Sequence, residues 1–159
     1  MLKALRSPLL ALVFIVGLAG AAVATLPAVD FGPATPLSRG TLGESVHYNT
    51  GEVKFQTKGA VDFVTQTVTI GGRVGSSGWH SHPGVVLVTV KSGTLVRYDA
   101  DCSPTTYAAG SAFTESGDAP ALVRNNTTAP AVVYVTFVVP AGATPLRIDA
   151  PQPLGCNQT

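Results

Sequence analysis

Two of the three histidines in this 159-residue chain, His80 and His82, stand one residue apart in the stretch GWHSHPG (78–84). Residues i and i+2 of a strand point to the same face, so this spacing can present both imidazoles on one side. Imidazole is a common ligand for Zn, Fe and Ni, and carboxylates extend the choice to Mn. Two imidazoles alone make a weak, open site. Stable sites take three or four protein ligands, and non-haem iron sites add a carboxylate to two histidines. His47 (in SVHYN), Glu115, Glu44 and Glu52 are the candidates to complete such a set. The plainer alternative is a pair of pocket histidines that bind a small polar ligand, or only water. Trp79, just before the pair, is a candidate for stacking on a ligand at the pocket mouth, although tryptophan more often packs in a core or rim.

Other chemical motifs fail. GSSGW (75–79) is not a G-x-S-x-G elbow, and no helix follows it to build an oxyanion hole. Gly72, Gly75 and Gly78 precede neither a helix nor a Walker lysine, so they cradle no phosphate. They read as a flexible loop that turns the chain into the histidine segment.

The elements that must position the pair read as strands. EVKFQT (52–57) alternates, and VDFVTQTVTI (61–70) is rich in β-branched residues. VVLVTV (85–90), TLVRYDA (94–100), SAFTE (111–115), ALVRN (121–125) and AVVYVTFVV (131–139) follow, with PLRID (145–149) as a last edge strand. GG, GSSG, PG, KSG, SPTT, SGDAP and NNTTAP separate them as turns. VRNN (123–126) is most simply a hairpin turn. Of the neighbours Arg97 and Tyr98 only one can face inward, and Tyr98 is assigned to the surface. No helical stripe appears after residue 25. The pattern predicts an all-β sandwich or barrel: an extended leader over 25–43, a barrel over 44–150 and a tail over 151–159.

Residues 1–24 are set apart as a signal peptide: Lys3 and Arg6, an apolar run from Pro8, and the small residues Ala22 and Ala24 at a cleavage site before Thr25. An uncleaved membrane anchor is the alternative. The expected location is secreted or extracytoplasmic. Cleavage removes two of the ten cations and leaves eight Lys and Arg against nine Asp and Glu, a formal −1. With no basic run, nucleic acid and anionic membrane surfaces are poor partners, and a small-molecule ligand or metal ion is the better expectation. The apolar fraction of 45% with only 12% charged residues argues against disorder. The two cysteines, Cys102 and Cys156, read as one disulfide tying the tail to the DADCSPTT loop. N-x-T sequons begin at Asn125, Asn126 and Asn157.

From about Val64 to Ala143 the chain resembles a single cupin domain, a double-stranded β-helix of the jelly-roll kind. The first cupin motif matches at Gly75 or Gly78, His80, His82 and Gly93, and the second at Gly110 and Asn125. The resemblance implies a divalent metal held by two histidines and a glutamate of the first motif and a histidine of the second. His80 and His82 match. The glutamate position falls on Val86 and the third histidine position on Ala121, so the metal motif is degenerate. Cupin barrels also pair through leader strands, which implies a homodimer. The expected function is an exported binding protein whose pocket, built around Trp79, His80 and His82, takes a small ligand or a loosely held divalent ion (Mn, Fe, Ni or Zn). One alternative is a metal-dependent oxygenase or isomerase with a non-standard third ligand. The other is a non-catalytic scaffold. The missing carboxylate at residue 86 weighs against catalysis, and no residue is assigned a catalytic role.

Overall fold

The computed structural model describes residues 23–28, 30–117 and 119–158. The segment expected to be a signal peptide lies outside the described residues except for Val23 and Ala24. The described chain is all-β, and none of it forms a helix long and apolar enough to cross a membrane.

Two antiparallel layers face each other. The first holds β1 (Thr35–Leu42), β4 (Val61–Ile70), β11 (Ala131–Pro140), β6 (Val85–Ser92) and β9 (Ala112–Ser116), in that spatial order. The second holds β10 (Leu122–Arg124), β7 (Thr94–Tyr98) and β8 (Pro104–Ala108), and a further pair joins β12 (Ile148–Asp149) to β5 (His80–Ser81). Bridges from Ser76 to Arg124 and from His80 to Ala121 connect these two pieces, so the second layer runs β12-β5-β10-β7-β8. A small hairpin of β2 (His47–Asn49) and β3 (Lys54–Gln56) stands outside. Two five-stranded layers joined by crossing connections make a double-stranded β-helix of the jelly-roll kind.

Alternation explains why the layers close. In β11, Ala131, Val133, Val135, Phe137 and Val139 are buried, and in β6, Val86, Val88 and Val90. With Val64, Val68, Ile70, Leu95 and Phe113 they form one core. Full burial of each such side chain contributes roughly 1.5–3 kcal/mol. The motif glycine Gly93 turns β6 into β7 at φ 82°, where a Cβ would meet the backbone of Ala131 at 2.7 Å. A second, smaller cluster of Trp79, Leu122 and Cys156 lies under the Cys102–Cys156 disulfide, with Tyr98 and Ala150 packed against it.

Several strands differ from expectation. β1 arises inside the proline-bearing leader and pairs with β4 from Thr35↔Thr67 to Leu42↔Val61. β8 forms where SPTT was read as a turn, and β2 was not expected. All three are short or outward-facing, so no apolar alternation marks them. Pro104 is tolerated because it opens an edge strand. The last expected strand, 145–149, shrinks to its final two residues. Tyr98 is half-buried against the second cluster and not on the open surface.

Candidate metal centre

β5 is only two residues long, but both its neighbours fix it. His80 bridges Ala121, with His80 N–H donating to Ala121 O at 3.0 Å and Ala121 N–H to His80 O at 2.9 Å. Asp149 and Ile148 pair with His80 and Ser81 on the other side. Gly78 takes φ 66° immediately upstream, and a Cβ there would lie 2.6 Å from Leu26 O, so the N-terminal segment crosses directly over the entry to the histidine strand. The two imidazoles emerge on one face as the i, i+2 spacing requires, with centroids 4.8 Å apart and planes nearly perpendicular.

Each ring is oriented by a backbone carbonyl. His80 Nδ1 lies 2.9 Å from Gly78 O and His82 Nδ1 2.7 Å from Leu146 O. A carbonyl only accepts, so both Nδ1 atoms carry protons and both Nε2 lone pairs turn the other way. There they meet Glu115, whose Oε2 is 3.0 Å from His82 Nε2 and 3.7 Å from His80 Nε2. One ligand atom from each of the three residues falls within 4.8 Å of the others. All three residues are buried, and Glu115 Oε1 has no hydrogen-bond partner, with Arg97 Nε 3.9 Å away.

Burial is the main force on the charges here. It lowers the His80 pKa from 6.5 to about 4 against the opposing pull of Glu115, so His80 is neutral at ordinary pH. Burial pushes the Glu115 carboxyl up, but the hydrogen bond with His82 and the charges around it outweigh that, and the group stays below its ordinary value. An ionised carboxylate facing two imidazole lone pairs needs a positive charge between them. That charge is either a proton shared by His82 Nε2 and Glu115 Oε2, or a metal ion.

Register explains where the carboxylate comes from. Val86 and Glu115 are directly opposite each other across β6 and β9, so the two side chains share a face. The carboxylate beside the histidine pair thus comes from the residue that faces position 86. Of the four residues offered to complete the set, the fold brings in Glu115. His47 sits exposed on the outer hairpin, and Glu44 and Glu52 are exposed as well. Among the described residues, His80, His82 and Glu115 are the one group of this kind. Sequence reasoning could not rank Glu115 first, because the β6–β9 register is a long-range fact.

The three ligand candidates help to line a cavity of about 440 Å³, whose walls also include Val68, Ile70, Val88, Phe113, Val135 and Phe137. Phe31 from the leader and Thr144–Arg147 also line it. Trp79 does not. It is fully buried in the second cluster, and its Nε1 donates to Gln158 O at 2.9 Å.

No protein-family model matches this sequence, and no curated protein matches it. Solved structures do. A cupin-2 domain protein from Shewanella frigidimarina is 17% identical, with a TM-score of 0.42 over 48% of this chain and 70% of its own. A double-stranded β-helix protein from Klebsiella pneumoniae is 18% identical, with a TM-score of 0.48 over 69% of this chain and 86% of its own. A polyketide cyclase from Streptomyces resistomycificus is 16% identical, with a TM-score of 0.48 over 55% of this chain and 60% of its own.

Proposed function

We propose that this cupin-fold chain is an exported protein that holds a divalent metal ion on His80, His82 and Glu115 and receives a small molecule in the adjoining cavity. One observation carries the reading: three buried lone-pair atoms converge within 4.8 Å, and both histidines have committed their other nitrogen to a carbonyl. That outer hydrogen bond is the usual support of a metal-ligating imidazole. The donor set, two neutral nitrogens and one carboxylate, suits Fe, Mn, Ni or Zn. Glu115 Oε1 is buried without a hydrogen-bond partner, 3.9 Å from Arg97 Nε, while Oε2 faces the histidines.

A second reading, metal-dependent catalysis on a small substrate, is favoured by the cavity. Its volume falls in the range of about 300–1,000 Å³ typical of small-molecule sites, and its walls are largely apolar. A bound ion would supply Lewis acidity towards a carbonyl or hydroxyl oxygen. The protein's part is to fix the ligands, exclude water with Phe113, Val135 and Phe137, and keep Glu115 ionised. Export rests on the cationic, apolar and small-residue pattern of the first 24 residues.

The test is elemental analysis of protein purified without chelators and reconstituted in turn with Mn, Fe, Ni and Zn. Near-stoichiometric metal is expected, absent from the His80→Ala/His82→Ala double variant. Glu115→Gln should weaken binding by at least about tenfold. Binding should also release a proton, since the ion replaces the one between His82 and Glu115. Wild-type protein that takes up no metal, or a double variant that retains it, would overturn the reading.

A further inference from the structure

The cavity walls are largely apolar, with Gln66, Ser77 and Thr144 as neutral polar exceptions, and charged groups stand at two places, only one of which is the histidine–glutamate centre. The other is Arg147, which follows Leu146, the residue whose carbonyl holds His82. Its Nε donates to Asp149 Oδ1 at 2.6 Å, so Asp149 engages one edge of the guanidinium. Nη2 is buried and has no hydrogen-bond partner. A buried guanidinium N–H left unpaired is costly, so its natural complement is an acceptor brought by a ligand. The guanidinium is also within electrostatic reach of Glu115.

The geometry points to Arg147 as the anchor for the carboxylate of a small, otherwise apolar monocarboxylic acid bound in the cavity. Three observations fix that class. Arg147 is the single cation among the lining residues, which matches one negative charge and not a phosphate dianion. The lining carboxylate, Glu115, is already turned to the histidines. Apart from Gln66, Ser77 and Thr144, the remaining walls, from Val68, Ile70, Val88, Phe113 and Val133 to Phe137, offer hydrocarbon, so the body of the ligand is mainly aliphatic or aromatic. An arginine fork suits a planar carboxylate better than a lysine would. The inference builds on the proposed metal and ligand site, because it names the class of molecule received there.

Octanoate and octan-1-ol are the probes, titrated calorimetrically into metal-free protein so that no ion competes for the carboxylate. Wild type should bind octanoate at least about tenfold more tightly than the alcohol. Arg147→Met, which keeps the apolar stem, should remove that preference while leaving octanol binding unchanged, and Arg147→Lys should retain part of it. Equal binding of octanoate and octanol to wild type, an unchanged preference in Arg147→Met, or no octanoate binding at millimolar concentration would overturn the assignment. Metal content of the wild type separates the two proposals. Wild type that takes up metal but shows no carboxylate preference defeats the anchor alone, whereas an Arg147-dependent preference in protein that never takes up metal defeats the metal centre alone. Circular dichroism of both Arg147 variants confirms that each is folded.

Discussion

Asn125 shows how a single side chain sustains the site's surroundings. It is fully buried, donates from Nδ2 to Ile70 O at 3.0 Å and Ala129 O at 2.8 Å, and accepts from Thr127 N–H and Oγ1. The sequence placed it in a hairpin turn, but Val123 and Arg124 belong to β10 and the turn carries the chain from one layer to the other, because β10 and β11 pair with different strands. Its amide closes the turn between β10 and β11 and ties that turn to the end of β4. Asn125→Ala should therefore cost roughly 3 kcal/mol by chemical denaturation, since several buried backbone groups lose their partner together. A loss under about 0.5 kcal/mol, the level of an ordinary surface substitution, would refute that role. Glu115 teaches the opposite lesson. Its residue type was legible as one of several carboxylates, but its place opposite Val86 was not, because nothing near residue 115 records which strand it will face.

At the scale of elements, Asp62 stitches β1 to the barrel. On β4, it accepts from Thr41 Oγ1 at 2.6 Å and from Arg39 Nε at 2.9 Å, both on β1, and from Gly142 N–H in the loop after β11. The Thr41 and Gly142 hydrogen bonds, with Arg39, lower its pKa from 3.8 to about 2. A carboxylate depressed in the folded state stabilises it fully above the unfolded value and loses that contribution as pH falls through the folded one. Asp62→Asn should thus lower the urea midpoint at neutral pH, and the gap from wild type should close as pH falls from about 4 to about 2. A gap independent of pH would mean that the charge is not what holds β1. The strand itself escaped sequence reading for a related reason. All but one of its residues are exposed, so its place is set by the ladder to β4 and by Asp62, not by an apolar stripe of its own.

At the scale of the whole molecule, the disulfide joins the two ends of the second layer. Cys102 follows β7 and Cys156 lies in the tail, 54 residues apart, and between them they cover Trp79 and Leu122. Closing a loop of that length stabilises the fold by about 4 kcal/mol in the chain-entropy model. Cys102→Ser/Cys156→Ser should lose stability on that order by denaturant unfolding, while retaining metal if the histidine strand is held by β10 and β12 alone. Loss of metal together with stability would instead show that the tail, through Trp79, positions His80.

Composition and alternation by themselves determined that this chain is all-β, that its long strands lie at about 61–70, 85–90 and 131–139, and that His80 and His82 share one face. Those are local properties: the period of two, β-branched residues and glycine or proline turns act within a few residues. Only the tertiary structure decided what completes the histidine pair, where Trp79 packs, and that a leader segment becomes a barrel strand. Each of these depends on which distant strands become neighbours. That pairing is set by closure of two layers over one core, and it puts Glu115 across from Val86 and Arg147 beside the same cavity.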